Sequence, residues 1–348
     1  MPTQTALLVT EIGKPVIKAS RPIPELKEGE VLVQVTIAGL NPHDAKSRDN
    51  GLFIKDVLPA VLAADVAGVV TRVGPNVSRF KEGDHIFAQG WPPDSNTQGL
   101  QEYAVLDSRF SAKVSSGFSD AQLASLPCNY VTAAVALFDS SALGIPAPWD
   151  PAASSFDYKS TSLLIVGGGS NTGKYGIQLA ALAGIGNIIV VAGLKGAADA
   201  KALGATHVVD RTKTPTEIAA EVRGITGDDL IYAFDTINPL ETQIIGVEAL
   251  SNSKTGKFAR LLPMGPILET KLSSKKSAGF ETLDVLGGSA VKPNTAIPLW
   301  QKVTDWLEEG KIKPLKYQVI KGLDVDAVNK TLDGYSNGTL SGQWQVHF

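Results

Sequence analysis

Apolar and polar residues are patterned differently in the two halves of this 348-residue chain. Up to about residue 110 the apolar positions fall in short β-branched runs cut by turn residues. Val31-Leu32-Val33-Gln34-Val35-Thr36-Ile37 follows Gly29-Glu30, and Val66 to Val73 ends at Gly74-Pro75-Asn76. Lys81 to His85 reads as a turn into Ile86-Phe87-Ala88. Short strands at this spacing predict a small barrel or sandwich. Gly39 to Lys46 (GLNPHDAK) reads as a loop between strands, because Pro42 interrupts a strand and polar groups follow an apolar run.

Residues 119–139 read as helical, with Ser119 as a cap, a break at Pro127 and a second helix starting near Asn129 to Thr132. The Pro-, Ser- and Ala-rich stretch 140–160 reads as a surface loop. From there strands and helices alternate: 163–166, helix 173–184, Ile188 to Ala192, helix 197–203, His207 to Val209, helix 215–223, Leu230 to Phe234, helix 240–250, Lys257 to Leu262. That rhythm predicts a parallel, doubly wound sheet. A helix over 297–309, a β region over 312–320, a helix over 323–334 and a strand from Gln343 to Phe348 complete the pattern.

The stretch Thr161 to Gly184 (TSLLIVGGGSNTGKYGIQLAALAG) is the one around which the rest is organised. A buried apolar run, a glycine turn and a helix start make a cradle for a pyrophosphate: glycines allow close approach, and the helix N-terminus presents N–H groups with partial positive charge. Gly167, Gly169 and Gly173 give G-x-G-x-x-x-G, one residue longer than the dinucleotide fingerprint. Taken alone, the turn also fits a glycine-rich loop without a ligand. About 20 residues on, an NAD site would place an acid for the ribose hydroxyl. The chain has Gly193-Leu194-Lys195-Gly196 there, and Arg211 at the end of the next strand. Two cations and no acid favour NADP(H) over NAD(H); the alternative is two ordinary solvated surface cations.

Composition narrows the classes. The length suits two domains. Thirty-two Lys and Arg against 35 Asp and Glu, without a basic run, point away from nucleic acid. No apolar stretch reaches 18 residues and no basic-then-apolar segment opens the chain, so no membrane association and a cytoplasmic location are expected. The single cysteine, Cys128, excludes an internal disulfide and a Cys-rich zinc site, and His43, His85, His207 and His347 have no paired spacing. Cys128 reads as a small buried residue rather than a nucleophile, and Asp235 as a strand end rather than a base.

The blocks GLNPHDAKSR (39–48), AADVAGVVTRVGPNVSRFKEGDHIFA (63–88), PCNYVTAAVALF (127–138), LLIVGGGSNTGKYGIQLA (from 163) and KALGATHVVD (201–210) occur in the order seen in the medium-chain dehydrogenase/reductase superfamily. The chain resembles its zinc-independent quinone oxidoreductase and trans-acting enoyl reductase branch. LGIPAPWD (143–150), the Asn-Pro-x-Asp-x-Lys pattern from Asn41 and Ser341-Gly342-Gln343 are most similar to fungal trans-acting enoyl reductases of polyketide synthesis.

The resemblance implies an α/β fold, with a GroES-like β-barrel domain from 1–125 and 290–348 and a Rossmann doubly wound parallel sheet over 126–289. It implies NADP(H) as cofactor and hydride transfer to an activated C=C of an enoyl or enone. The substrate would be a small-molecule or carrier-bound α,β-unsaturated compound, in the latter case with a polyketide synthase as partner. NADPH:quinone reduction and NADPH binding without turnover are the alternatives. A monomer or a homodimer fits. The zinc enzymes' first Cys position reads Leu40-Asn41-Pro42 and their Gly-His-Glu reads Ala63-Ala64-Asp65, so no metal is expected.

Carried over position by position, the resemblance makes Asn41, Lys46 and Thr132 the catalytic candidates. Asn41 would bond cofactor or substrate, or else cap the turn before Pro42. Lys46 would orient the nicotinamide ribose or stabilise enolate charge, or else be a solvated lysine. Thr132 would donate to the substrate carbonyl or the nicotinamide amide, or else cap a helix. His43 and Lys46 would lie by the cofactor, and Ser170, Asn171, Thr172 and Gly173 would hold the pyrophosphate. Gly193, Leu194, Lys195, Gly196 and Arg211 would surround the 2′-phosphate, while Leu262, Pro263, Ser341 and Gly342 would line the nicotinamide and adenine edges. Two positions depart from those reductases, which tend to have Tyr in place of Arg211 and Lys in place of Trp344. The first keeps a phosphate partner and the second puts the C-terminal contact in question. No residue stands out as a proton donor, which leaves water for that role.

Overall fold

A computed structural model describes residues 2–239, 243–262, 272–273 and 276–348, and divides the chain into two compact units, Met1–Cys128 with Gly288–Phe348, and Asn129–Gly287. The first unit contains β1 (Thr3–Val9), β2 (Ile17–Pro22), β3 (Glu30–Leu40), α1 (Pro42–Asn50), β4 (Ala60–Val61), β5 (Asp65–Val73), β6 (His85–Gln89), β7 (Tyr103–Asp107), β8 (Ser111–Lys113) and α2 (Asp120–Leu123). Helix α3 (Pro127–Phe138) leads into the second unit. There β9 (Ser162–Val166), α4 (Asn171–Ala183), β10 (Asn187–Ala192), α5 (Ala197–Ala202), β11 (His207–Asp210), α6 (Pro215–Thr226), β12 (Tyr232–Asp235), α7 (Gln243–Ala249), β13 (Gly256–Leu261) and β14 (Phe280–Val285) follow. The chain returns to the first unit with α8 (Pro293–Glu308), β15 (Tyr317–Lys321), α9 (Val325–Ser336) and β16 (Gln343–His347).

Strand β3 is the spine of the first unit. It pairs antiparallel with β5, β7 and β16 in a sheet ordered β15-β16-β3-β5-β6-β8, and a smaller sheet runs β2-β1-β4. Register shifts between Leu32 and Val33 and between Val35 and Ile37 bend β3, so that one strand can serve several neighbours. Gly68 of β5 is bare for the same reason: a Cβ there would stand 2.1 Å from the Gln34 carbonyl oxygen.

The second unit is a six-stranded parallel sheet ordered β11-β10-β9-β12-β13-β14. After β11 the chain crosses back to lay β12 beside β9, so the order reverses there, next to the glycine turn. Ligands of such sheets bind outside the strands' C-terminal ends at that reversal. Strand β9 is buried along its whole length, as its unbroken apolar run requires.

Two expectations change. Gly39 to Lys46 was expected to be a loop, but Pro42 opens helix α1 instead. A proline at the first helical position loses nothing, because its N–H would be unpaired there in any case. The break expected at Pro127 is present, since α2 ends at Leu123, but Pro127 itself opens α3, ahead of the start expected near Asn129 to Thr132. Asp120–Phe138 is by length and composition long and apolar enough to cross a membrane, with mean hydropathy 1.3 over its most apolar 18 residues, but 83% of that window is buried inside the protein. Strands β1, β2, β4, β7, β8 and β14 have no counterpart among the strands expected from the sequence. Of the helix expected over 240–250, residues 240–242 lie outside the described residues.

Candidate functional site

In the second unit the glycine turn is closed tightly on one side and open on the other. Gly167 has φ +84°, and a Cβ on it would lie 2.3 Å from Ile237 Cγ1. A Cβ on Gly173 would lie 2.5 Å from the Gly167 carbonyl oxygen, whereas one on Gly169 would meet nothing within 4 Å. The Gly167 and Gly168 N–H groups donate to the Val191 carbonyl at 3.0 and 3.2 Å. The Ser170 hydroxyl accepts from the Gly173 N–H at 2.9 Å and sits 2.8 Å from the Thr236 hydroxyl. Among the described residues, no backbone carbonyl takes the N–H of Gly169, Asn171 or Thr172. Three unpaired N–H groups at the positive end of a 13-residue helix, beside an open glycine, fit a pyrophosphate.

Thr172 contributes only its backbone. Its hydroxyl donates to Asn129 Oδ1 at 2.8 Å and its side chain is buried. Ser170 is the N-cap of α4, so Ser170→Ala is expected to cost about 1 kcal/mol of stability. Urea unfolding followed by circular dichroism measures this. A loss near zero would mean that Thr236 and the turn hold without the cap.

At the next edge, β10 and β11 end in register, Ala192 opposite Asp210. Gly193 opens a 3₁₀ turn over Leu194–Gly196, with Leu194 58% exposed and Lys195 and Gly196 also exposed. The Arg211 N–H donates to the Ala192 carbonyl at 3.0 Å, and its Nε lies 3.7 Å from where a Gly193 Cβ would be. The guanidinium therefore lies against the tip of β10. Among the described residues neither Lys195 nor Arg211 joins an ion pair. The Asp210 carboxylate is turned onto the Thr212 N–H at 3.0 Å, and that bond holds its pKa below the usual range.

Leu262, half-buried after β13, donates its N–H to the Val285 carbonyl at 3.3 Å. Pro263 lies outside the described residues. Thr132 stands inside α3, so the helix-cap alternative does not apply to it. Its Oγ1 is 3.5 Å from the Gly287 carbonyl, and a Cβ on Gly287 would come within 2.1 Å of that oxygen.

In the first unit the candidates gather where β3 runs into α1. Asn41 is 3% exposed, and its Nδ2 donates to Asp65 Oδ2 at 2.7 Å. Gln343 Nε2 donates to the same oxygen at 2.6 Å, and the Cys128 N–H donates to Oδ1 at 2.6 Å. Burial raises the Asp65 carboxyl to about 6, against the opposing pull of the Asn41 and Cys128 bonds and of His43. The folded state thus holds the Asp65 proton more tightly than the unfolded chain does, so stability falls as pH rises through about 4 to 6. The whole change is about 3 kcal/mol. Burial, and then the nearby Asp65, push the Cys128 thiol well up, so it stays protonated and unreactive.

The Asp44 carboxylate accepts from the Asn41 N–H at 2.8 Å and the Ala63 N–H at 2.9 Å, and lies 3.6 Å from His43 Nε2. It thereby holds Ala63 at φ +73°, a left-handed conformation that costs a non-glycine residue. Lys46 is exposed and His43 half-buried on α1. Ser341 and Gly342 are exposed just before β16, which pairs Trp344 with Leu40. The Tyr335 hydroxyl lies 2.9 Å from the Gly342 carbonyl and 3.0 Å from that of Leu40, so both segments close on one tyrosine. Among the described residues, no three His, Cys, Asp or Glu side chains are grouped to hold a metal ion.

Residues 27–119 match the family described as the alcohol dehydrogenase GroES-like domain, and 172–255 the one described as zinc-binding dehydrogenase. A zinc-type alcohol dehydrogenase-like protein of Schizosaccharomyces pombe is 30% identical over 93% of this chain and 92% of its own. The chain belongs to the medium-chain dehydrogenase/reductase superfamily. A trans-enoyl reductase of Alternaria alternata is 29% identical over 98% of both chains. A mycobacterial protein solved in complex with NADPH shares the fold at a TM-score of 0.74, covering 99% of this chain and 100% of that one at 19% identity. As a superfamily member the chain is an oxidoreductase of α/β fold, with a GroES-like domain and a Rossmann-type parallel sheet, and members of this superfamily use NAD(P)H.

Sequence reasoning missed the part that Asp65 and Gln343 play. Asp65 carried a signal, since it is the one charged residue in the apolar run from Val61 to Val70. Gln343 carried none, because an inward-facing glutamine in a strand reads like an outward one until its partner is known.

Proposed function

We propose that this oxidoreductase is an NADPH-dependent reductase of activated C=C bonds, acting on an enoyl or enone substrate of the polyketide-type enoyl thioester class. The observation that carries the cofactor choice is the pair of exposed cations, Lys195 and Arg211, beside Gly193, with no acid over 193–196. A 2′-phosphate gains charge-assisted bonds there, while a bare ribose hydroxyl finds no carboxylate to accept its proton. The NADPH of the mycobacterial protein and the trans-enoyl reductase name of the Alternaria relative support the same reading.

When bound, the nicotinamide supplies the hydride. The chain's own part is to bind and to stabilise charge. The segments that would carry zinc ligands present Asn41 and Asp65 instead, and the Asp65 carboxylate is already taken up by three N–H donors. That supports a zinc-independent reaction, in which the substrate must spread its own developing charge, as a conjugated carbonyl does. The ammonium of Lys46 is assigned to that oxygen. Solvent water supplies the proton to the α-carbon.

The test is NADPH oxidation with an enoyl thioester, an enone and a quinone offered separately. Turnover with the thioester, and at least about tenfold less with NADH in place of NADPH, is the expected result. Turnover with the quinone alone would replace this reading with a quinone reductase. Tight NADPH binding without turnover on any acceptor would replace it with a binding protein.

A further inference from the structure

We propose that Asp65 is the positioning residue of the first unit: its carboxylate ties Asn41, and so the start of α1, to Gln343 at the start of β16, and thereby sets where His43, Lys46 and Ser341-Gly342 are presented. The inference rests on the reductase reading above, because that reading gives those residues their roles.

Three donors from three distant segments converge on one carboxylate: Asn41, Cys128 and Gln343, at 2.7, 2.6 and 2.6 Å. The enclosure is built for it. Gly39, opposite Asp65 across the β3–β5 ladder, has no room for a side chain; a Cβ there would stand 2.8 Å from both Asp65 Cβ and Gln343 Nε2. Asp65 itself is fully buried. A buried carboxylate is an expensive way to hold strands together, and a packed apolar residue would serve stability better. What the carboxylate alone can do is accept all three N–H groups at once. An amide of the same size turns its own NH₂ toward at least one of the donors.

Protonation breaks the same arrangement, because a carboxylic O–H is a donor facing donors. The groups facing Asp65 are His43 and Asp44 on α1, the Cys128 thiol, and Tyr335 on α9, whose hydroxyl feels both Asp44 and Asp65. With burial holding the Asp65 carboxyl near 6, the Asn41–Asp65–Gln343 link is whole above that pH and is lost below it.

The experiment compares wild type, Asp65→Asn, Gln343→Met and His43→Asn in the full chain. It reads kcat and KM for an enoyl thioester with NADPH between pH 5 and 8, together with hydrogen exchange of the α1 amides. Wild-type kcat is expected to fall about tenfold per unit below pH 6. Asp65→Asn is expected to lower kcat about 10- to 100-fold at pH 7.5 and to abolish that acid limb. Gln343→Met removes one donor from the carboxylate, so its limb should move to higher pH, a shift that a purely structural role would not produce. His43→Asn should keep the limb. Exchange of α1 amides is expected to speed up about tenfold in Asp65→Asn. A limb that disappears in His43→Asn and survives in Asp65→Asn overturns the proposal, as does wild-type exchange of α1 in Asp65→Asn. If wild type turns over no acceptor at all, the reductase reading fails, while the exchange data still decide whether Asp65 holds α1. Should Asp65→Asn not fold, Gln343→Met alone decides through the direction of its shift.

Discussion

Replacing Lys195 and Arg211 together by alanine is expected to raise the Kd for NADPH by about 100-fold and to leave that for NADH within about threefold. Each cation would supply a charge-assisted bond to the 2′-phosphate, worth roughly tenfold in affinity on an exposed edge. Arg211 should account for the larger share. Its guanidinium is already laid against Gly193, so it loses less freedom on binding than the exposed Lys195. Because both groups are exposed, the wild-type preference should shrink as salt is raised, and the double variant should show little salt dependence. Titration of each dinucleotide by intrinsic fluorescence at two ionic strengths is the measurement. Equal loss for both dinucleotides would reassign the cations to the pyrophosphate or to the fold, and no loss would leave them as solvated surface charges.

Gly173→Ala is expected to weaken both dinucleotides by at least about 100-fold and to cost about 1–3 kcal/mol of stability. The added Cβ would lie 2.5 Å from the Gly167 oxygen, 2.9 Å from Gly168 Cα and 3.1 Å from the Gly167 carbonyl carbon. All three are backbone atoms, so no rotamer change relieves the clash, and the start of α4 must move away from the turn. The unpaired N–H groups of Asn171 and Thr172 move with it. Gly169→Ala separates packing from ligand binding, since its Cβ meets no protein atom within 4 Å. That variant should keep wild-type stability within about 0.5 kcal/mol and still lose affinity, because its methyl group fills the open side of the cradle. Urea unfolding and dinucleotide titration on both variants test the pair. Wild-type affinity in Gly173→Ala would rule out the turn as the pyrophosphate site.

Much of the second unit could be read without coordinates. Strands β9 and β10 are buried almost throughout, so they appear as unbroken apolar runs, and helices α4 and α6 begin at capping residues close in sequence. Ser170 capping α4 and Thr214 capping α6 are local facts, decided within four residues. The glycine turn and the acid-free tip at 193–196 are local in the same sense. Pro42 and Pro127 show the limit of local reading, since a proline that ends one element and a proline that begins the next look alike until the following turn of chain is placed.

The first unit resisted because its site is assembled from segments far apart in sequence. Asp65 bonds across 24, 63 and 278 positions to Asn41, Cys128 and Gln343. No periodicity encodes such a contact. It exists only because β3 is paired with β5 on one side and β16 on the other, which brings Gly39, Asp65 and Gln343 together. The sequence by itself determined the parallel sheet, the glycine turn and the cationic tip, since each depends on neighbours within one strand–turn–helix unit. The tertiary structure alone decided that α1 is a helix pinned by a buried carboxylate, because the cost of burying that charge is met only by donors that long-range strand pairing delivers.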